Sequence, residues 1–94
     1  MATLIGTDGS TKSVSPPPRG RFSYREINPL VGGSGYQEIE LPDGRSLYIC
    51  DDGKPRGFAR NEKATALLRG SMYAGDWIAG DALLCERHEA TPEG

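Results

Sequence analysis

Asp51-Asp52-Gly53-Lys54, then Asn61-Glu62-Lys63-Ala64-Thr65-Ala66-Leu67-Leu68, then Gly75-Asp76-Trp77-Ile78-Ala79-Gly80-Asp81-Ala82-Leu83-Leu84 set out in order a turn, a capped helix and a buried strand. Asn61 is a strong N-cap residue, because its side-chain oxygen can accept from the open N–H groups of the first turn, and Glu62 sits at the positive end of the helix dipole. Ala64, Leu67 and Leu68 supply an apolar stripe ahead of Arg69 and a Gly70 stop. A helix of two or three turns does not hold by itself in water, so this one needs a sheet beneath it. Asp76 to Cys85, carrying Trp77, Ile78, Ala82, Leu83 and Leu84, is the longest apolar strand candidate and is expected at the centre of that sheet. Gly80 within it marks a bulge or a close backbone approach.

Moving toward the N-terminus, the alternation from Gln37 to Leu41 puts Gln37, Ile39 and Leu41 on one face and Tyr36, Glu38 and Glu40 on the other. Pro42-Asp43-Gly44 is a turn signal, and Ser46 to Cys50 returns as the second strand of a hairpin. Asp52-Gly53 closes that strand, and residues 55–60 are too broken by Pro and Gly to be regular. Ser23 with Glu26 three positions on is a capping box, and Phe22 can staple onto Ile27, so a helix starts at Tyr24. Pro29 removes the bond to the Arg25 carbonyl, so this helix is expected to kink or end early, with Gly32 and Gly33 as its punctuation. Ala2 to Ile5 reads as a strand, Thr7-Asp8-Gly9-Ser10 as a tight turn and Thr11 to Ser15 as the return. Pro16-Pro17-Pro18-Arg19-Gly20-Arg21 cannot continue a ladder and reads as a linker, while residues 87–94 form a polar tail. The assembled expectation is one α+β domain over residues 1–86, in the order β-β-α-β-β-α-β, with an antiparallel or mixed sheet and both short helices on one side.

At 94 residues, with 36% hydrophobic residues, thirteen glycines and seven prolines, the chain has room for a thin core and no sizeable cavity within one protomer. Association of copies would help to stabilise it. Eleven basic and thirteen acidic residues give a net charge of −2 with no run of like charge, which argues against a nucleic-acid polymer as partner. Cys50 and Cys85 lie in apolar stretches and the N-terminus lacks the pattern of a signal peptide, so two reduced core thiols in a cytoplasmic protein, away from any membrane, are expected.

Catalytic chemistry finds little support. His88 is the single histidine and lies in the polar tail, no cysteine pair has metal-ligand spacing, and no nucleophile elbow is present. Asp51, Asp52, Asp76 and Asp81 leave open a metal-dependent hydrolase, though Asp52 and Asp81 read more simply as turn or strand-edge residues. The expectation is therefore no enzyme, no cofactor and no metal site. Binding chemistry is better represented. Gly32-Gly33-Ser34-Gly35 could cradle a phosphate on unhindered backbone N–H groups, although it follows a helix and lacks a P-loop ending. Around the Asn61 helix start, Lys54, Arg56, Arg60 and Lys63 place four cations in ten residues, Thr65 adds a hydroxyl, and Tyr36, Phe58 and Tyr73 offer stacking surfaces. The candidate ligand-binding set is Gly32, Gly33, Tyr36, Lys54, Arg56, Phe58, Arg60, Asn61 and Thr65.

The ordered stretches quoted above, with Met1-Ala2-Thr3-Leu4-Ile5 and Leu30-Val31-Gly32-Gly33, resemble the small phage and mobile-element family known as domain of unknown function 3846. Gly53-Lys54, Gly57, Asn61 and Ala64-Thr65 fall on the positions that carry the resemblance, which also implies a first helix reaching about Val31. A small phage-borne protein without catalytic machinery implies interference with host defence. The leading expectation is a homo-oligomeric sponge that sequesters a cyclic nucleotide or cyclic ADP-ribose-type signal without turnover, and the alternative is an inhibitor or adaptor that binds a host defence protein. On the first reading, Arg60→Ala or Thr65→Ala abolishes ligand binding and leaves the fold intact.

Overall fold

Five strands and two short helices account for the regular structure: β1 (Ala2–Ile5), β2 (Thr11–Val14), α1 (Tyr24–Leu30), β3 (Tyr36–Glu40), β4 (Ser46–Cys50), α2 (Glu62–Ala66) and β5 (Ala82–Cys85). The computed structural model describes residues 2–15, 22–33 and 35–86; the expected linker at 16–21, Ser34 and the expected tail at 87–94 with His88 lie outside them. The domain is α+β with an antiparallel sheet in the order β2-β1-β5-β4-β3. The last strand in sequence is the central one, as its apolar run implies.

Local chemistry explains the hairpins. At the β3–β4 turn the Gly44 N–H donates to the Leu41 carbonyl at 3.0 Å and the Leu41 N–H to the Arg45 carbonyl at 2.8 Å. The Asp43 carboxylate accepts the Arg45 N–H at 3.1 Å and the Arg45 guanidinium at 2.8 Å, which locks the turn from its own side chains. In α1 the Glu26 carboxylate accepts the Ser23 N–H at 2.8 Å, closing the box from the glutamate side. Phe22 and Ile27 share one buried cluster, as a staple requires. The helix passes Pro29 by one residue and ends where the Val31 N–H reaches back three residues to the Asn28 carbonyl at 3.2 Å.

The two helices cover opposite faces of the sheet, which corrects the expectation that both lie on one side. Ile27 and Val31 pack with Ala2, Tyr48, Leu83 and Cys85, whereas Ala64 and Leu68 pack with Ile5, Ile39, Leu47 and Ala82. Leu47 and Tyr48 are consecutive on β4, and Ala82 and Leu83 on β5, so the two clusters project to opposite sides of the pleat. The cause is visible in the strands: β4 and β5 are apolar on both faces, and each large side chain removed from water contributes about 1.5–3 kcal/mol, so neither face can be left to solvent.

The expected strand from Asp76 to Cys85 is also shortened to Ala82–Cys85. Gly80 adopts φ +92° and turns the chain out of the sheet, and the preceding segment pairs with the 58–61 loop instead. The Asn61 N–H donates to the Ile78 carbonyl at 2.7 Å, the Gly80 N–H donates to the Ala59 carbonyl at 2.8 Å, and Arg60 bridges Ala79 antiparallel. Ile78 and Ala79 are buried all the same, which is why apolar character alone made them look like strand. No helix among the described residues is long and apolar enough to cross a membrane.

Candidate functional site

Two backbone donors of the glycine-rich turn after α1, those of Gly33 and Gly35, are engaged within the fold. The Gly33 N–H donates to the Asn28 carbonyl at 2.9 Å and the Gly35 N–H to the Asn28 side-chain oxygen at 2.7 Å, while the Asn28 amide donates to the Gly33 carbonyl at 3.2 Å. Asn28 thus stands where a phosphate cradle would hold its anion. Tyr36 meets Tyr48 edge to face, with centroids 5.4 Å apart, on the α1 side of the sheet.

Asn61 and Thr65 are structural centres. Asn61 is fully buried; its amide donates to the carbonyls of Ile5 and Gly80, both at 2.9 Å, and its side-chain oxygen accepts the Ala64 N–H at 3.0 Å. One side chain therefore ties the first strand, the Gly80 turn and the α2 cap together. The Thr65 hydroxyl donates to the Asn61 carbonyl at 2.6 Å and accepts the Ile78 N–H at 3.0 Å. Its removal would leave the Ile78 N–H without that acceptor, so Thr65→Ala is expected to cost stability, a structural role the sequence did not show. Lys63 reaches across to the Gly9 carbonyl at 2.7 Å and holds the β1–β2 turn.

Phe58 fills a slot between two glycines. A Cβ at Gly80 would lie 2.7 Å from Phe58 Cδ2, and one at Gly32 would lie 2.9 Å from Phe58 Cε2. The Arg56 guanidinium covers the ring at 4.6 Å and donates to the Gly32 carbonyl at 3.1 Å, with the Asp52 carboxylate 3.9 Å away. Gly32, Arg56 and Phe58 thus share one corner, where Gly32 and Phe58 line a surface cavity of about 260 Å³ with Thr7, Val31 and Asp81. Cys50 lies at the same corner, its thiol donating to Asp52 at 3.2 Å, and both Cys50 and Cys85 are buried and not joined in a disulfide.

Lys54 and Arg60 converge on a residue that the sequence reading had assigned to a strand. The Lys54 ammonium is 4.7 Å and the Arg60 guanidinium 5.9 Å from the Trp77 ring centroid. Lys54 also pairs with Asp76 at 2.6 Å, and Arg60 with Glu62. The hydrogen bond from Lys54 and then that from the Trp77 N–H hold the Asp76 carboxyl below its ordinary value of 3.8. These ion pairs are solvent-exposed and each is worth only about 0–1 kcal/mol, so an arriving polyanion can compete for both cations at small cost. Beneath Trp77 lies a cavity of about 150 Å³, walled by Ile39, Ile49, Pro55, Tyr73 and Trp77, with Gln37, Asp51, Lys54 and Asp76 as its polar groups.

The structure therefore divides the nine expected residues. Lys54 and Arg60 share the Trp77 surface, Gly32, Arg56 and Phe58 share the neighbouring corner, Tyr36 is on the other face, and Gly33, Asn61 and Thr65 are engaged in internal hydrogen bonds. Sequence reasoning missed Trp77, Asp51 and Gln37 as cavity residues. A polar Gln37 sharing a face with Ile39 was the available signal. Among the described residues no group of three or more His, Cys, Asp or Glu is placed to hold a metal ion. Of the carboxylates of the hydrolase reading, Asp51 and Asp76 line the Trp77 cavity, whereas Asp81 lines the Phe58 cavity and accepts the Thr7 N–H at 3.2 Å. Comparison with protein-family models, with curated proteins and with solved structures gives no match to this chain.

Proposed function

We propose that this chain is a phage-type accessory protein that binds a nucleotide signal and holds it without turnover, acting against host defence as a homo-oligomer in the cytoplasm. The observation that carries the reading is the pair of cations, Lys54 and Arg60, held within 6 Å of the Trp77 indole, with Lys54 and Trp77 both lining a cavity large enough for an aromatic ring. Phosphates suit the exposed ammonium and guanidinium, and a flat base suits the aromatic and aliphatic walls. Arg56 on Phe58 offers a further cation at the adjoining corner. The ligand class proposed is a cyclic oligonucleotide or a cyclic ADP-ribose relative, by analogy with small phage sponges of other families.

Native mass spectrometry after incubation with a pool of cyclic dinucleotides and cyclic ADP-ribose isomers tests both parts of the proposal. The expected result is an oligomer that carries one of these molecules and releases it intact on denaturation. Release of a hydrolysed product would replace the sponge with an enzyme, and a bare protein at millimolar ligand would remove the nucleotide reading.

A second reading, an inhibitor or adaptor for a host protein, is favoured by a different surface. Met72 is 88% exposed on the loop that follows α2, beside the acidic Glu38 and Glu40 of the terminal strand β3. An exposed methionine on a wet, charged rim is a common element of protein contacts. Met72→Ser would then weaken capture of the partner and leave nucleotide binding untouched.

A further inference from the structure

Two polar side chains in the Trp77 cavity stand apart from the rest. Lys54 and Asp76 satisfy each other, but the side chains of Gln37 and Asp51 have no hydrogen bond or ion pair to any described residue, although both line the cavity. Their placement follows from the register. Gln37 pairs with Ile49, and the Asp51 N–H extends the same ladder by donating to the Gly35 carbonyl at 3.2 Å. Asp51 is thus the diagonal neighbour of Gln37 on the same face, with a Cβ separation somewhat under about 7–8 Å expected for such a pair.

Resting on the nucleotide reading above, we propose that this cavity selects a guanine base, with the Asp51 carboxylate accepting from N1–H and the exocyclic amine and the Gln37 amide donating to the O6 carbonyl. A carboxylate is an acceptor only, so it pairs with an edge that presents two adjacent donors, and an amide can supply the one donor that the neighbouring carbonyl requires. Adenine presents an acceptor where guanine presents N1–H, which would face the carboxylate with a lone pair, so of the two ligand classes above this assignment selects a guanine-bearing cyclic oligonucleotide and not the adenine-bearing cyclic ADP-ribose. Tyr73, Pro55 and Trp77 wall the flat faces of the base, and Lys54, which also lines the cavity, is the cation at hand for a phosphate, with Arg60 next to the Trp77 ring but outside the lining. A cavity near 150 Å³ is known to accept a six-membered aromatic ring, the part of guanine that carries O6, N1–H and the exocyclic amine, with the five-membered ring left toward the open side.

Isothermal titration calorimetry of the full chain with cyclic di-GMP, cyclic di-AMP, cyclic ADP-ribose, GMP, AMP and CMP tests the assignment, together with the Asp51→Asn and Gln37→Ala variants. Asp51 is exposed and unbonded, so its replacement leaves the fold intact, which circular dichroism checks. The expected result is a preference for guanine nucleotides over AMP of about tenfold or more, lost in Asp51→Asn and reduced in Gln37→Ala. Equal binding of all bases with no effect of Asp51→Asn overturns the guanine assignment and leaves the nucleotide reading standing. A preference for CMP overturns it likewise, and failure of every nucleotide to bind overturns both.

Discussion

Replacing Asn61 by aspartate separates two roles that the sequence alone cannot distinguish. If Asn61 only caps α2, aspartate is an equally good cap and the change is close to neutral. The structure gives the side chain a second task, because the amide donates to the Ile5 and Gly80 carbonyls in a fully buried setting. The orientation of the amide is determined by its neighbours, since an N–H at Ala64 and two carbonyls elsewhere admit only one assignment of oxygen and nitrogen. Aspartate keeps the bond from Ala64 but points an oxygen at two carbonyl oxygens. Leaving two buried carbonyls unpaired costs about 1–3 kcal/mol each, and burial of the new carboxyl adds to that, for a total of at least about 3 kcal/mol. A 94-residue domain has about 5–14 kcal/mol to lose, so the melting temperature should fall by more than about 12 °C. Asn61→Ala, which loses the cap as well as both amide bonds, should fall by a similar amount. Urea unfolding followed by circular dichroism measures both. An Asn61→Asp variant within about 0.5 kcal/mol of the parent would show that the carbonyl contacts carry no weight and that Asn61 acts as a cap alone.

Gly80→Ala combines a left-handed φ of +92° with a Cβ that would sit 2.7 Å from the Phe58 ring, and should cost about 2–4 kcal/mol in thermal unfolding. Adding Phe58→Ala should recover only the steric part, so the double-mutant cycle should show less-than-additive loss. Thr65→Val keeps the volume and removes the hydroxyl that accepts the Ile78 N–H, so stability should drop by about 1–3 kcal/mol while nucleotide affinity, measured by calorimetry, stays unchanged. Acid titration should expose Asp76. Its lowered value means that the stability it contributes is fully present above the ordinary carboxylate value of 3.8 and is lost as pH falls below it, so Asp76→Asn should flatten the acid limb of the unfolding curve.

Legibility in the sequence tracked the range of the interactions. The Ser23 and Glu26 box, the Pro42-Asp43-Gly44 turn and the Asn61 cap each depend on residues within four positions, and each forms where the local chemistry places it. The centrality of β5 was also readable, because a strand apolar on both sides belongs inside a sheet. The division of the helices between two faces was not, since it depends on how the pleat of β4 aligns with that of β5. Ile78 and Ala79 illustrate the same limit: their apolar character announced burial but could not say whether a strand or a loop would provide it.

The candidate site follows this pattern. Lys54, Arg56, Phe58 and Arg60 were legible because basic and aromatic residues crowd one short loop. Trp77, Gln37 and Asp51 were not, because they reach the cavity from separate elements, and their common face exists only once β3 and β4 are in register. Asn61 and Thr65 looked available for a ligand because the carbonyls and the N–H that occupy them belong to Ile5, Ile78 and Gly80, distant in the chain. By itself the sequence determined the elements, their caps and turns, and the loop in which the charges gather, since short-range hydrogen bonding and side-chain period suffice for these. Which polar groups the fold consumes, and which are left facing a cavity, was decided only by tertiary structure, because a buried donor or acceptor takes whatever partner the packing brings within about 3 Å.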